Sequence, residues 1–415
     1  MKKVVVVNLY GKHNIGDMAI RSSALNILEE TFGVNNFSLL CESKENFYTY
    51  SNVKSKLNID WAPYGYAIRA KGKPQNLLIK YIRFVTILSN SIFFTLLGII
   101  NVNLLPKNGF YKYIRLIIES DIVVAMGGGY FITSNPLKDF FGICLNVLPI
   151  YVAKIYKKKI LILPSSFGPF AHKVHELIVG TAIKNTIFMT REEISHKLVS
   201  KYCADVEYIP DLALMDWEIS PVIKKENYFV LTFRESLKDK NRQGQFEKEI
   251  AVFIEYVWQK YGYECIFIPM ASNPIEENDV KVAINIAKYL PKNAHFKIVK
   301  VMNPNEAKLI LSKAKFSLCN RLHSAILSSI VFTPFITISY AYKTIGFLKM
   351  FDLGEWNIPM KEINSKELIT KLELLMDNDN YSTFIKKLNA KREYVFESRQ
   401  KIKEILKKHW KLINI

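Results

Sequence analysis

The residues with the most chemistry in this chain sit just past the ends of short apolar runs. Asn320-Arg321-Leu322-His323-Ser324 follows the run Phe316 to Cys319 and opens a helical stretch through Ser329. A guanidinium fork, an imidazole and the first N–H groups of a helix therefore meet at one strand-to-helix turn, an anion site in outline. Arginine can bind phosphate or carboxylate in bidentate fashion, and each hydrogen bond to a charged group contributes roughly 1.5–3 kcal/mol. A histidine titrates near neutral pH, so His323 can supply a proton beside the bound anion. Arg191 holds the matching place earlier in the chain, after Ile187 to Met189, with Glu192 and Glu193 suiting the helix dipole that follows. Lys343 comes after the run Phe335 to Ser339 and could reach the same anion. Gly127-Gly128-Gly129 ends the run Asp121 to Met126 and permits close backbone approach to a ligand. Asn14, Gly16 and Asp17, with His13, form a first loop that could hold a polar acceptor, although Asp17 reads equally as a helix N-cap. Neither GxGxxG nor GK[ST] is present, and HExxH, GxSxG and clustered His/Cys patterns are missing too. Dinucleotide, Walker-type ATP, metal and hydrolase readings thus have no support.

The elements that must position these residues alternate β-branched runs with helical stretches, the pattern of parallel sheets covered by helices. Val4 to Leu9, Phe37 to Cys41, Asp121 to Met126, Ile160 to Ser165, Ile187 to Met189 and Val206 to Ile209 read as strands of a first half. Pro164-Ser165-Ser166-Phe167-Gly168-Pro169-Phe170 reads as a loop suited to ligands. A polar stretch over 216–227 is the linker. Strands at Tyr228 to Phe233, Glu264 to Pro269, Phe296 to Lys300, Phe316 to Cys319 and Phe335 to Ser339, with helices between, make a second doubly wound half. The expected domains are 1–215, with an apolar insertion at about 77–105, then 228–380, and a basic helical tail over 381–415.

The chain has 415 residues with 57 Lys plus Arg against 38 Asp plus Glu, a net charge of +19 that favours anionic partners. The positive charge is spread out and no nucleic-acid-binding motif accompanies it, so nucleic acid is not expected. Five scattered cysteines without CxxC spacing fit a reducing compartment and no structural zinc. The opening MKKVVVVNLYG reads as a strand and not as a signal peptide, so a cytoplasmic location is expected. Phe84 to Leu105 carries no formal charge and is long enough to cross a bilayer, to insert at its surface or to serve as a buried or subunit-contact helix. Peripheral contact with the inner face of the plasma membrane and homo-oligomerisation both stay open. The tail Lys386 to Lys411 reads as a solvated helix packed through Leu388, Val395, Ile402, Ile405 and Leu406.

Taken in order, the following motifs resemble those of the polysaccharide pyruvyl transferases: Asn14-x-Gly16-Asp17, Gly127-Gly128-Gly129, Ser166-Phe167-Gly168-Pro169-Phe170, Thr190-Arg191-Glu192, Pro210-Asp211 and Asn320-Arg321-Leu322-His323. The resemblance covers about residue 4 to about residue 350. It implies an α/β fold of two Rossmann-like doubly wound domains facing across a cleft, GT-B-like. It further implies transfer of the pyruvyl group of phosphoenolpyruvate onto two hydroxyls of a sugar or lipid-linked oligosaccharide, giving a ketal and phosphate without a further cofactor. On that resemblance Arg191, Arg321 and His323 contact phosphoenolpyruvate, with the Leu322 backbone close by and Lys343 as a looser match. His323 is the expected acid and Asp17 the expected base for the acceptor hydroxyl. The competing readings are a GT-B glycosyltransferase using a nucleotide sugar, and a non-catalytic, membrane-associated assembly protein of a polysaccharide system.

Overall fold

The structure is a computed structural model that describes residues 3–9, 14–33, 37–41, 58–61, 77–217, 224–235, 240–273, 277–292 and 294–412. His13, most of the polar region before residue 77 and the centre of the expected linker lie outside the described residues. The chain divides into two α/β units with parallel sheets, together of GT-B-like type. The first is built from Met1–Lys12, Ile20–Leu212 and Ser398–Ile415, the second from His13–Ala19 and Ala213–Glu397.

The first unit contains strands β1 (Val4–Leu9), β2 (Phe37–Cys41), β3 (Asn58–Trp61), β4 (Ile122–Ala125), β5 (Gly128–Phe131), β6 (Lys159–Phe167), β7 (Ile187–Thr190) and β8 (Val206–Tyr208). They line up as β3-β2-β1-β4-β6-β7-β8, with β5 beside β6. Every pairing is parallel, and β1 sits centrally with Val4 opposite both Phe37 and Ile122. Parallel strands are covered on both faces, which is why β1 reads VVVVNL and is buried at all six positions. The helices are α1 (Ile15–Phe32), α2 (Leu77–Ile100), α3 (Lys112–Glu119), α4 (Phe140–Ile155), α5 (Lys173–Ile183) and α6 (Glu193–Val199). Tyr113, Phe131, Phe167 and Phe188 are fully buried within this core.

Three local expectations change. The helix α1 starts earlier than Asp17, because the Asn14 side chain accepts hydrogen bonds from the N–H groups of Gly16 (2.9 Å) and Asp17 (3.3 Å). Asn14 is thus the N-cap, and Asp17 lies in the first turn where its charge suits the dipole. The triglycine is not wholly a loop: Gly128 and Phe131 pair with Ser165 and Phe167 of β6. For the same reason β6 continues past Ser165, where the expected strand ends, through Ser166 and Phe167.

In the second unit β9 (Tyr228–Thr232), β10 (Glu264–Phe267), β13 (Phe296–Ile298), β14 (Ser317–Cys319), β15 (Phe335–Ser339) and β16 (Asn357–Pro359) form a parallel sheet ordered β13-β10-β9-β14-β15-β16. A two-residue ladder joins β11 (Ser272–Asn273) to β12 (Glu277–Asn278). The helices are α7 (Lys240–Tyr261), α8 (Asp279–Ala287), α9 (Pro304–Lys313), α10 (Leu322–Ile330), α11 (Tyr342–Met350), α12 (Ser365–Met376) and α13 (Asn378–Leu412), which from Ser398 onward counts with the first unit. Along α13 the residues Leu388, Val395, Ile402 and Leu406 are buried at helical spacing, so the basic run of the tail is the outer side of a packed helix. The residues 13–19 count with this unit because Asn14 bridges Ala271 and the Ile15 N–H donates to the Met270 carbonyl at 2.8 Å.

Candidate anion site of the second unit

The order of the second sheet reverses between β9 and β14, and open parallel sheets bind ligands beyond the carboxyl ends of their strands at such a point. Arg234 follows β9, Arg321 follows β14, and Tyr340 and Lys343 follow β15. Asn320 ties these three ends together. Its amide donates to the Ile338 carbonyl (2.9 Å) and its oxygen accepts from the Arg234 N–H (3.3 Å). Leu322 and His323 open α10, whose first N–H groups have no acceptor within the helix.

The cations are individually oriented. Arg321 Nη2 donates to Asp279 Oδ1 at 2.5 Å, and Asp279 Oδ2 in turn accepts from the N–H groups of Met270 (3.0 Å) and Ala271 (2.9 Å). Asp279, at the start of α8, is only 1% exposed, so this carboxylate fixes the guanidinium from behind while itself being saturated. Arg234 Nη1 donates to the Tyr340 hydroxyl at 3.1 Å, and its guanidinium carbon lies 5.0 Å from the ring centroid. Burial alone would push the Tyr340 phenol up. The positive charges of Lys343, Arg234 and Arg321 outweigh that and draw it below the ordinary phenol value. Three cations therefore bear on one half-buried phenol.

The loop Asn14–Asp17 closes onto the imidazole. A Cβ on Gly16 would fall 2.0 Å from His323 Nδ1 and 2.7 Å from His323 Cβ, so only glycine allows the backbone to lie against that ring. Asn14, Gly16 and Asp17, expected in the first domain, thus belong with Arg321, Leu322, His323 and Lys343 in the second unit.

Arg191 and the triglycine are brought together in the first unit. Arg191 is buried, with Nε donating to Ser166 Oγ (2.8 Å) and Nη1 to Asp211 Oδ2 (2.5 Å), and Glu192 Oε2 lies 3.6 Å away. Its Nη2 lies 3.5 Å from where a Gly129 Cβ would stand, so four of the motifs of the sequence converge on one guanidinium. Gly127 and Gly128 have packing and backbone reasons of their own. A Cβ on Gly127 would meet Leu212 at 2.5 Å and the Pro164 carbonyl at 2.6 Å, and Gly128 has φ +144°.

Sequence reasoning missed Arg234, Tyr340 and Asp279. Arg234 carries the same signal as Arg321, a basic residue just past a strand, but its importance depends on β9 and β14 being neighbours, which is a fact of topology. Asp279 reads in sequence as an ordinary acidic residue in a helix's first turn.

A family model described as polysaccharide pyruvyl transferase matches residues 14–342, from the capping asparagine of α1 to the first residue of α11. The chain belongs to the polysaccharide pyruvyl transferase family. Arg234, Arg321, His323 and Tyr340 fall inside the match and Lys343 one residue beyond it. Among known proteins the chain is similar to the amylovoran biosynthesis protein AmsJ of Erwinia amylovora. The two are 22% identical over 285 residues, which is 63% of this chain and 66% of that protein, just under two thirds of its length. In fold it resembles the UDP co-structure of MnaA from S. aureus, at a TM-score of 0.61 and 12% identity, covering 100% of this chain and 98% of that one. It also resembles UDP-GlcNAc 2-epimerase from Neisseria meningitidis bound to UDP-GlcNAc, at 0.57 and 12%, covering 98% and 100%. At these identities the likeness is one of fold.

Proposed function

We propose that this protein transfers the pyruvyl group of phosphoenolpyruvate to hydroxyls of a sugar in cell-surface polysaccharide biosynthesis, forming a ketal and releasing phosphate. The observation that carries this reading is the placing of Arg234, Arg321 and Lys343 past the carboxyl ends of β9, β14 and β15 at the switch point of the second sheet, where Arg234 donates to the Tyr340 hydroxyl and Asp279 fixes Arg321, with His323 in the adjoining helix turn. Phosphoenolpyruvate carries a phosphate and a carboxylate, and arginine forks together with a helix N-terminus suit both.

The chemistry follows from charge. The enol phosphate of the donor accepts a proton at C3, and cationic character then develops at C2. His323, whose place is fixed by Gly16, is the acid for that step. A sugar hydroxyl attacks C2 as it loses its proton, for which Asp17, on the same turn as Gly16, is the base. The C2–O bond to phosphate then breaks, and a second hydroxyl closes the ketal as its proton passes to His323, which restores the acid, while the proton held by Asp17 leaves with the phosphate. Negative charge gathers on the departing phosphate, where oriented cations stabilise it more than they stabilise the bound donor. Arg191, assigned by the sequence resemblance, belongs to the same proposal as a donor contact and is tested separately by Arg191→Ala.

The test separates binding from turnover. Phosphoenolpyruvate should raise the melting temperature of the protein, a ligand at 100 times its Kd adding about 2.7 kcal/mol. Arg234→Ala and Arg321→Ala should each lose that shift. His323→Ala should keep it, while cells carrying the variant should lack the pyruvate-sized adduct on their surface glycan by mass spectrometry. Stabilisation by a UDP- or GDP-sugar and not by phosphoenolpyruvate would overturn the reading.

A further inference from the structure

Helix α2 has two faces in different surroundings. On one, Phe84, Ile87, Ser91 and Thr95 are buried against the first unit. Phe84 packs on Phe140 and Phe141, the Tyr113 hydroxyl donates to Ser91 Oγ (2.9 Å), and the Tyr156 hydroxyl donates to the Thr95 carbonyl (2.6 Å). A Cβ on Gly98 would fall 2.5 Å from the Tyr156 hydroxyl, so the helix is seated closely to its end. The strands β2 before it and β4 after it both pair with β1. A helix docked along one side, between two strands of one sheet, lies on its unit and does not cross a bilayer away from it.

The opposite face is apolar and open. Ile82 is 54% exposed, Phe93 57%, Leu96 56%, Ile99 59% and Ile100 78%. The hydroxyls on this side are bonded back into the helix, Thr86 to the Ile82 carbonyl (2.9 Å) and Ser89 to the Val85 carbonyl (2.7 Å), so these two polar groups meet a low-dielectric surface already satisfied. With 24 residues the helix offers this stripe over about 36 Å. Charge selects what covers it. Between Asp60 and Glu119 the sequence has no acidic residue, whereas Lys80, Arg83, Lys107, Lys112 and Arg115 are basic, and Arg83 and Lys107 are exposed. A symmetric second copy would set these cations against their own kind. An anionic lipid surface is complementary to them.

We propose that α2 is an interfacial anchor, lying in the plane of an anionic bilayer. Ile92, Phe93, Leu96, Ile99 and Ile100 enter the acyl boundary, and Lys80, Arg83 and Lys107 meet the headgroups. The proposal does not rest on the reaction above.

Vesicle flotation of the full chain tests it, with phosphatidylcholine alone and with equal parts phosphatidylcholine and phosphatidylglycerol. Wild type should float at least tenfold more with the anionic vesicles. The triple variant Phe93→Ser, Leu96→Ser, Ile99→Ser and the double variant Arg83→Glu, Lys107→Glu should each lose at least tenfold. All these positions are exposed, so melting temperatures should stay at the wild-type value. Failure of wild type to float, or equal flotation of the triple variant, would overturn the proposal. So would a wild-type dimer by light scattering that the triple substitution converts to monomer without any vesicle binding.

Discussion

Gly16→Ala sets two effects of opposite sign against each other. Gly16 lies in the first turn of α1, where exchanging glycine for alanine ordinarily stabilises a helix by about 0.5–1 kcal/mol. The added methyl, however, would stand 2.0 Å from His323 Nδ1 and 2.7 Å from His323 Cβ. Rotating the ring relieves only the first of these contacts, since the Cβ is carried by the backbone of α10. The loop and the helix must therefore separate, and overpacking of this kind costs roughly 1–3 kcal/mol. The clash wins, and the variant should be less stable by about 1 kcal/mol, a fall of about 2–4 °C in melting temperature. Activity should fall further, because a displacement of about 1 Å in a reacting group can cost about 10²-fold. Thermal melts with and without phosphoenolpyruvate, paired with phosphate release in the presence of acceptor, separate the two effects. The variant should keep the stabilisation by phosphoenolpyruvate conferred by Arg234 and Arg321 while losing turnover. A variant more stable than wild type with undiminished turnover would refute the contact between this loop and the imidazole.

Two further perturbations probe the same unit. Asp279→Ala leaves Arg321 without its buried carboxylate and two backbone N–H groups without their acceptor, so urea denaturation should show a loss of about 3–5 kcal/mol. Asp279→Asn, which retains one acceptor oxygen, should lose less; equal stability of all three proteins would contradict the geometry. Lys225 is held by the Ser312 carbonyl and Thr333 Oγ1, and burial, followed by the charge of Lys315, depresses its ammonium to about 8 from 10.5. Below pH 8 the folded chain bears the full cost of that buried charge, about 3 kcal/mol. Between pH 8 and 10.5 the unfolded chain holds more protons and stability climbs with pH. Lys225→Met should therefore be more stable than wild type at pH 7 by about 1–3 kcal/mol, with the gap closing towards pH 10.5. A gap constant across that range would show that the charge is not the cause.

The strands were readable because both faces of a parallel sheet are covered, which leaves β-branched runs such as Val4 to Val7 that no surface segment needs. The turn at Arg321 and His323 was readable for the same reason, since the end of a strand is visible in sequence. The first helix was placed a turn late because Asp17 and Asn14 are both good capping residues, and only the hydrogen bonds from Gly16 and Asp17 tell them apart. Gly128 and Gly129 hid a strand because β5 is held by pairing with β6 and not by its own propensity. Arg234 stayed unread although the residue after β9 is as exposed to inspection as the residue after β14. What distinguishes it is strand order, and strand order is set by the packing of segments far apart in the chain. The outward apolar face of α2 was legible as composition, whereas its docked face depended on Tyr113 and Tyr156, neither of which carries a sequence signal for that partner.

Each unit is completed by a segment from the far end of the chain, and this constrains how the protein is made. The end of α1 is gripped by residues 398–412: Arg399 and Lys403 hold Glu30, with Arg399 Nη2 at 2.5 Å and Lys403 Nζ at 3.0 Å, and the Trp410 ring packs tilted against Phe32 with centroids 4.9 Å apart. A ribosome that has released the first two hundred residues has therefore not yet delivered all that the first unit needs. During synthesis this unit must wait, its last clasp missing, until almost everything downstream has emerged. A gene cut after residue 212 would yield a half that lacks its fastening, so the two units cannot be exchanged between relatives as simple front and back pieces.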